Sequence, residues 1–173
     1  MSAFEIQALA DRHAITGLIY LYCRAVDRLD HTLGYAIWHD DGTADYGKTV
    51  YQGTGRGFID FVNDQHGKTL GHSHQVTNII LELDGERAAS ESYYIAALRV
   101  LRDEKLHEIT VRGRYLDRWS KRDGRWGIDH RIAIRDLDDI RPVLPLSMTA
   151  GTRDRSDPSY AILYNPAHQP RIR

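Results

Sequence analysis

The stretch Gly71-His72-Ser73-His74-Gln75-Val76-Thr77-Asn78, running into Ile79-Ile80-Leu81, has the residue types and spacing for chemistry. A β-strand sends alternate side chains to one face, which predicts a shared face for His72, His74, Val76, Asn78 and Ile80. Imidazole titrates near neutral pH. A histidine at an apolar cavity can therefore act as a general base if a carboxylate orients it.

The first candidate for that carboxylate lies upstream. Apolar residues recur with helical rhythm from Phe4 to Asp27, as Ile6, Leu9, Ile15, Leu18, Ile19, Tyr22, Cys23 and Val26. Asp27 falls in the last turn, where the helix macrodipole disfavours an acid, so a second reason for its presence is expected. Asp30 is expected to cap a short helix through Trp38, with Asp40-Asp41-Gly42 as the turn that ends it. Short strands over 43–46 and 49–52, a loop over 53–57 and a helix over 58–65 follow. From His72 the rhythm is of long strands: 72–83, 87–100, 106–119 and 125–135, joined at Asp84-Gly85 and Asp123-Gly124 in a meander. All five prolines lie beyond Asp136, where no period survives. The reading is one α+β domain over residues 1–136 and an extended arm over 137–173.

Composition narrows the class of function. The chain has 173 residues, 42% hydrophobic and 27% charged, which is enough for one domain with a sizeable core. Lys and Arg total 23 against 24 Asp and Glu, so no overall field favours nucleic acid or an anionic membrane. The single cysteine, Cys23, cannot form an internal disulfide and suits a reducing compartment. No stretch reads as a signal peptide or a membrane span, and a cytoplasmic location is expected.

The helix ending Ala25-Val26-Asp27, the string His72 to Asn78, Asp84-Gly85-x-x-Ala88 and Glu91-Ser92-Tyr93-Tyr94 together resemble the SnoaL-like branch of the nuclear transport factor 2-like superfamily. So does Arg114-Tyr115-x-Asp117-Arg118-Trp119-x-x-Arg122-Asp123-Gly124-x-Trp126-x-Ile128-x-His130-Arg131. The resemblance implies a cone-shaped, curved antiparallel sheet closed by N-terminal helices, with a pocket inside. It implies a homo-oligomer, dimer or trimer, assembled through the arm. Enzymes of the family, scytalone dehydratase and hexachlorocyclohexane dehydrochlorinase among them, remove a proton with a histidine paired to an aspartate and use no cofactor. By position these match His74 and Asp27. The dehydrochlorinase's arginine after Asp-Gly-x-Trp matches Arg131, and its lysine on the first helix falls at Tyr22, which removes the basic group suited to chloride elimination.

Alternatives remain at several positions. His72-x-His74 has the spacing of a metal pair, but a cupin-like site would want a carboxylate where Asn78 stands. Strict alternation from Trp126 puts Arg131 outside, and a bulge would put it inside. Gly53-x-Gly55-x-Gly57 lies outside any βαβ unit and does not read as a nucleotide loop. Tyr22, Trp38, His72, Tyr94, Tyr115 and Arg131 are the expected pocket wall. The expected activity is a lyase or isomerase acting on a small hydrophobic, cyclic or aromatic molecule. The alternative is a non-catalytic binding or scaffolding subunit, as in the small subunits of ring-hydroxylating dioxygenases.

Overall fold

A computed structural model describes residues 2–144 and 151–163. The first helix, α1, spans Ala3–Asp27 and starts in a capping box, in which Ser2 Oγ accepts from the Glu5 amide and Glu5 Oε2 accepts from Ser2 N–H. Its buried stripe begins at Asp11 and continues through Ile15, Ile19, Tyr22, Cys23 and Val26. Ile6 and Leu9, expected on that stripe, are exposed. The next helix, α2, is only His31–Tyr35, capped by Asp30. Trp38 therefore does not end a helix but opens strand β1, Trp38–Asp45, and Asp40-Asp41-Gly42 runs within that strand. Strand β2 is Gln52–Thr54 and helix α3 is Gly55–Gly67, begun by Thr54 as N-cap.

The three closely spaced glycines before and within α3 are explained by aromatic packing. A Cβ on Gly55 would lie 2.1 Å from the Trp38 ring, and Cβ atoms on Gly53 and Gly57 would lie 2.8 and 2.4 Å from the Tyr51 hydroxyl. The bare backbone lets Trp38 bury completely beneath the start of α3.

Four long strands complete the sheet: β3 (Gly71–Asp84), β4 (Arg87–Arg102), β5 (Lys105–Arg122) and β6 (Arg125–Pro142). Strand order is β2-β1-β6-β5-β4-β3, curved and unclosed, with β2 and β3 as edges. It is not wholly antiparallel, because β1 pairs parallel to β6. The core lies between the inner face of this sheet and the helices α1 and α3.

Irregular register decides which side chains reach that core. Between Val76 and Ile79 two residues of β3 oppose one of β4, so the inward set passes from His72, His74 and Val76 to Ile79, Leu81 and Leu83. Asn78 and Ile80 are thereby turned outward, against expectation. In β6, Asp129 and Asp136 are the extra residues opposite β5. The Asp129 bulge reverses the alternation after Ile128 and carries Arg131 to the interior, where it is fully buried.

Strand β6 also runs past the expected end of the domain at residue 136, to Pro142. Residues 151–163, including helix α4 (Pro158–Leu163), pack on the ends of α1 and α3. The contacts are polar: Arg28 with Asp157, Tyr160 Oη donating to Asp30, and Arg153 donating to the carbonyls of His66 and Thr69. Leu144, Ile162 and Leu163 are exposed in the single chain, and Leu146 lies outside the described residues. Among the described residues, no helix is long and apolar enough to cross a membrane.

Candidate active site

The last turn of α1 and the start of β3 meet at the Asp27–His74 pair. His74 Nδ1 lies 2.7 Å from Asp27 Oδ1, and the His74 backbone N–H donates to Oδ2 at 2.9 Å. One carboxylate thus holds both the ring and the backbone of the same residue. This is the second reason for an acid at an unfavourable helix end: two N–H donors compensate the repulsive dipole. With Nδ1 protonated toward Asp27, Nε2 carries the lone pair, and it has no partner among the described residues.

The neighbouring imidazoles differ from it. His72 Nε2 donates to the Val26 carbonyl at 2.9 Å. The His72 and His74 rings are 6.2 Å apart and nearly perpendicular. Each already has a nitrogen committed to α1, and the described residues contain no group of three or more His, Cys, Asp or Glu arranged to hold a metal ion. His66, in the last turn of α3, sits 4.4 Å from the His72 ring and 5.1 Å from the His74 ring, and its buried Nδ1 has no partner among the described residues.

Burial, with help from His74, His72 and Arg153, pushes the His66 pKa down to about 3, and burial also lowers that of His72. In the unfolded chain His66 would bind a proton near pH 6.5, whereas the folded chain leaves it neutral down to about 3. The unfolded state then holds more protons, so His66 makes stability fall as pH drops through that window. Replacing His66 by Phe is expected to flatten the loss of stability between about pH 6.5 and pH 3. Urea unfolding midpoints measured across that range check it.

Behind the histidines the interior is aromatic and encloses an ion pair. Arg131 donates from Nε and Nη2 to Asp117 at 2.7 and 2.8 Å, with both side chains wholly buried. Its guanidinium carbon lies 4.2 Å from the ring centres of both Tyr22 and Tyr115. Tyr94 stacks on Tyr115 at 4.2 Å, and the Tyr22 and Tyr46 hydroxyls are 2.9 Å apart. Burial works against the charge on Arg131, but Asp117 outweighs it and keeps the guanidinium protonated. The same burial pushes the Tyr22, Tyr46 and Tyr115 phenols up, so they remain donors, and lifts the Cys23 thiol to about 12. Nη1 of Arg131 makes no hydrogen bond of good geometry, and Tyr46 is the hydroxyl beside it.

Tyr22, Trp38, Tyr94, Tyr115 and Arg131 share one buried cluster, with Trp38 packed 5.7 Å from the guanidinium. Tyr46, His66 and Asp117 belong to the site and escaped the sequence reading. For Asp117 the signal was present: it alternates with Tyr115 and Trp119 on the apolar face of β5, where a lone carboxylate needs a partner. A surface cleft of about 750 Å³ lies elsewhere, at the β3–β4 turn among Glu82, Arg87, Arg118 and Lys121.

The family described as a SnoaL-like domain matches residues 7–132. No curated protein matches the sequence. Among solved structures, the hexachlorocyclohexane dehydrochlorinase LinA-type3 of Novosphingobium barchaimii is 19% identical, with a TM-score of 0.71 over 84% of this chain and 99% of that one. A candidate scytalone dehydratase of Novosphingobium aromaticivorans is 20% identical, with a TM-score of 0.67 over 83% and 97%. The Kfla4162 protein of Kribbella flavida is 18% identical, with a TM-score of 0.68 over 76% and 95%. At these identities the likeness is one of fold.

Proposed function

The chain belongs to the SnoaL-like domain family, and from that premise we propose that it is a lyase or isomerase removing a proton from carbon in a small hydrophobic, cyclic or aromatic molecule, without metal or organic cofactor. The observation that carries this reading is the double grip of Asp27 on His74, which leaves Nε2 as the proton acceptor. In this reading the C–H proton passes to Nε2, and its electron pair moves onto an adjacent carbonyl oxygen or expels a neighbouring leaving group. Asp27 stabilises the imidazolium that forms. That imidazolium returns the proton to another carbon or to the departing oxygen, so none is gained or lost overall.

Arg131 and the paired Tyr22 and Tyr46 hydroxyls supply the electrophilic side. A developing oxyanion would meet the unpartnered Nη1 and a phenol proton in surroundings where water cannot compete. Trp38, Tyr94 and Tyr115 give the buried cluster behind the pair an aromatic, apolar character that suits a cyclic substrate. His72 serves this site by holding α1 rather than by touching substrate. We place the protein in the cytoplasm, as a dimer or trimer that covers the apolar residues exposed on α1 and the sheet.

A second reading, a ligand-binding or scaffolding subunit, is favoured by one observation. The side chains of His74 and Asp27 are only 6% and 15% exposed. A panel of cyclic ketones, β-hydroxyketones and halocycloalkanes, incubated with chelator-treated protein, separates the two. Turnover that survives chelation is the expected result. Saturable binding with no change in any compound supports the second reading instead.

A further inference from the structure

We propose that Arg153, from the segment beyond the sheet, is a positioning residue for the Asp27–His74 pair, acting through His72. Its guanidinium closes the turn between α3 and β3. Nη1 donates to the His66 carbonyl at 2.7 Å and to Thr69 Oγ1 at 3.2 Å, and Nη2 donates to the Thr69 carbonyl at 2.9 Å. Nη1 also lies 3.4 Å from His72 Nδ1.

Donor arithmetic then fixes the His72 ring. Thr69 Oγ1 is 3.3 Å from His72 Nδ1, but its only proton goes to the His66 carbonyl at 2.8 Å. The Val26 carbonyl can only accept from Nε2, so Nδ1 presents its lone pair, and the donor facing it is Arg153 Nη1, whose two protons are shared among three acceptors. The ring proton is left on Nε2, where it reaches the Val26 carbonyl at 2.9 Å. That carbonyl belongs to the last turn of α1, where it otherwise accepts only a long 3.4 Å bond from the Leu29 N–H among the described residues, and Val26 immediately precedes Asp27. One cation from a distant part of the chain thus supports the tautomer that ties down the turn carrying the carboxylate.

The inference rests on the dyad reading for its functional half and on geometry alone for its structural half. The charged and titratable groups facing His72 are Asp27 from α1, His66 from α3, His74 from its own strand and Arg153. Removing Arg153 takes away the cation and, among the described residues, the donor facing Nδ1, so Nδ1 can take a proton and donate it to Thr69 Oγ1, giving the other tautomer or a doubly protonated ring.

The test uses the full chain labelled with ¹⁵N-histidine, and two-bond ¹H–¹⁵N spectra recorded from about pH 8 to about pH 5. Wild type and Arg153→Lys are expected to keep His72 as the Nε2–H tautomer throughout. Arg153→Ala is expected to give mixed tautomers and a titrating ring. Arg155→Ala, which removes a different contact of the same segment, to Asp30 at 3.7 Å, is the control and should leave the His72 spectrum unchanged. An unchanged His72 spectrum in Arg153→Ala overturns the proposal. With a substrate from the panel above, Arg153→Ala is expected to lose about tenfold to a hundredfold in kcat with KM held. A changed spectrum with unchanged kcat overturns the positioning role but leaves the dyad standing. Full activity in His74→Ala would sink the dyad reading whatever His72 does.

Discussion

Replacing His74 by Ala is expected to lower turnover by about three orders of magnitude, the middle of the range for losing a general base. Asp27→Asn should cost nearly as much, and the reason lies in the geometry. Asp27 accepts two protons, from the His74 amide and from Nδ1. An asparagine of the same shape has one oxygen and one NH₂, so it can accept only one of them. If it keeps the amide, its NH₂ faces Nδ1 and drives the ring proton to Nε2, which then has no lone pair for the substrate. The double variant Asp27→Asn/His74→Ala should be no slower than His74→Ala alone, because the pair acts as one unit. Rate losses that multiply would mean two independent roles.

The largest effect on stability is expected from Asp117→Ala. Asp117 and Arg131 are both wholly buried and joined by two hydrogen bonds. Removing the acid strands a guanidinium between tyrosine rings, which typically costs about 3–5 kcal/mol. Arg131→Met/Asp117→Ala should recover part of that loss, since the stranded charge goes with it. Urea unfolding of the single and double variants measures the difference. If Asp117→Ala lowered the midpoint as little as a surface substitution, the pair would not be what holds the charge inside. An apolar pair could fill the same space at no such risk, so the retention of a charge with a spare donor, Nη1, fits a role toward a ligand.

How much of this was legible in the sequence depended on whether period alone decided it. The first helix and the four long strands follow from amphipathic spacing, and Asp27 and His74 stand where that spacing puts them. Arg131 did not follow, because its direction turns on the single extra residue Asp129, and a bulge leaves no mark in an alternating string. The same limit hid the outward turn of Asn78 and Ile80. The start of β1 was obscured by Asp40-Asp41-Gly42, which reads as a turn and across which the register with β6 does break, although Trp38 before it and Thr43 after it pair parallel with β6. The extension of β6 was masked by its charges, of which Asp136 bulges from the ladder to bind Arg114. His66, Tyr46 and Arg153 join the site only through tertiary packing across many residues, which no local pattern reports.

The account's central claim is that His74 takes a proton from carbon. Its most direct test is deuterium incorporation from D₂O into substrate or product carbon, followed by mass spectrometry for any compound from the panel that is turned over or bound. The wild-type protein is expected to wash deuterium into one carbon position of a compound that isomerises, or to release the label from that position of a C-deuterated compound that eliminates, and His74→Ala to do neither while still binding the compound. Equal incorporation by both proteins, or turnover by the wild type with no solvent deuterium entering carbon and no loss of substrate deuterium, would contradict it.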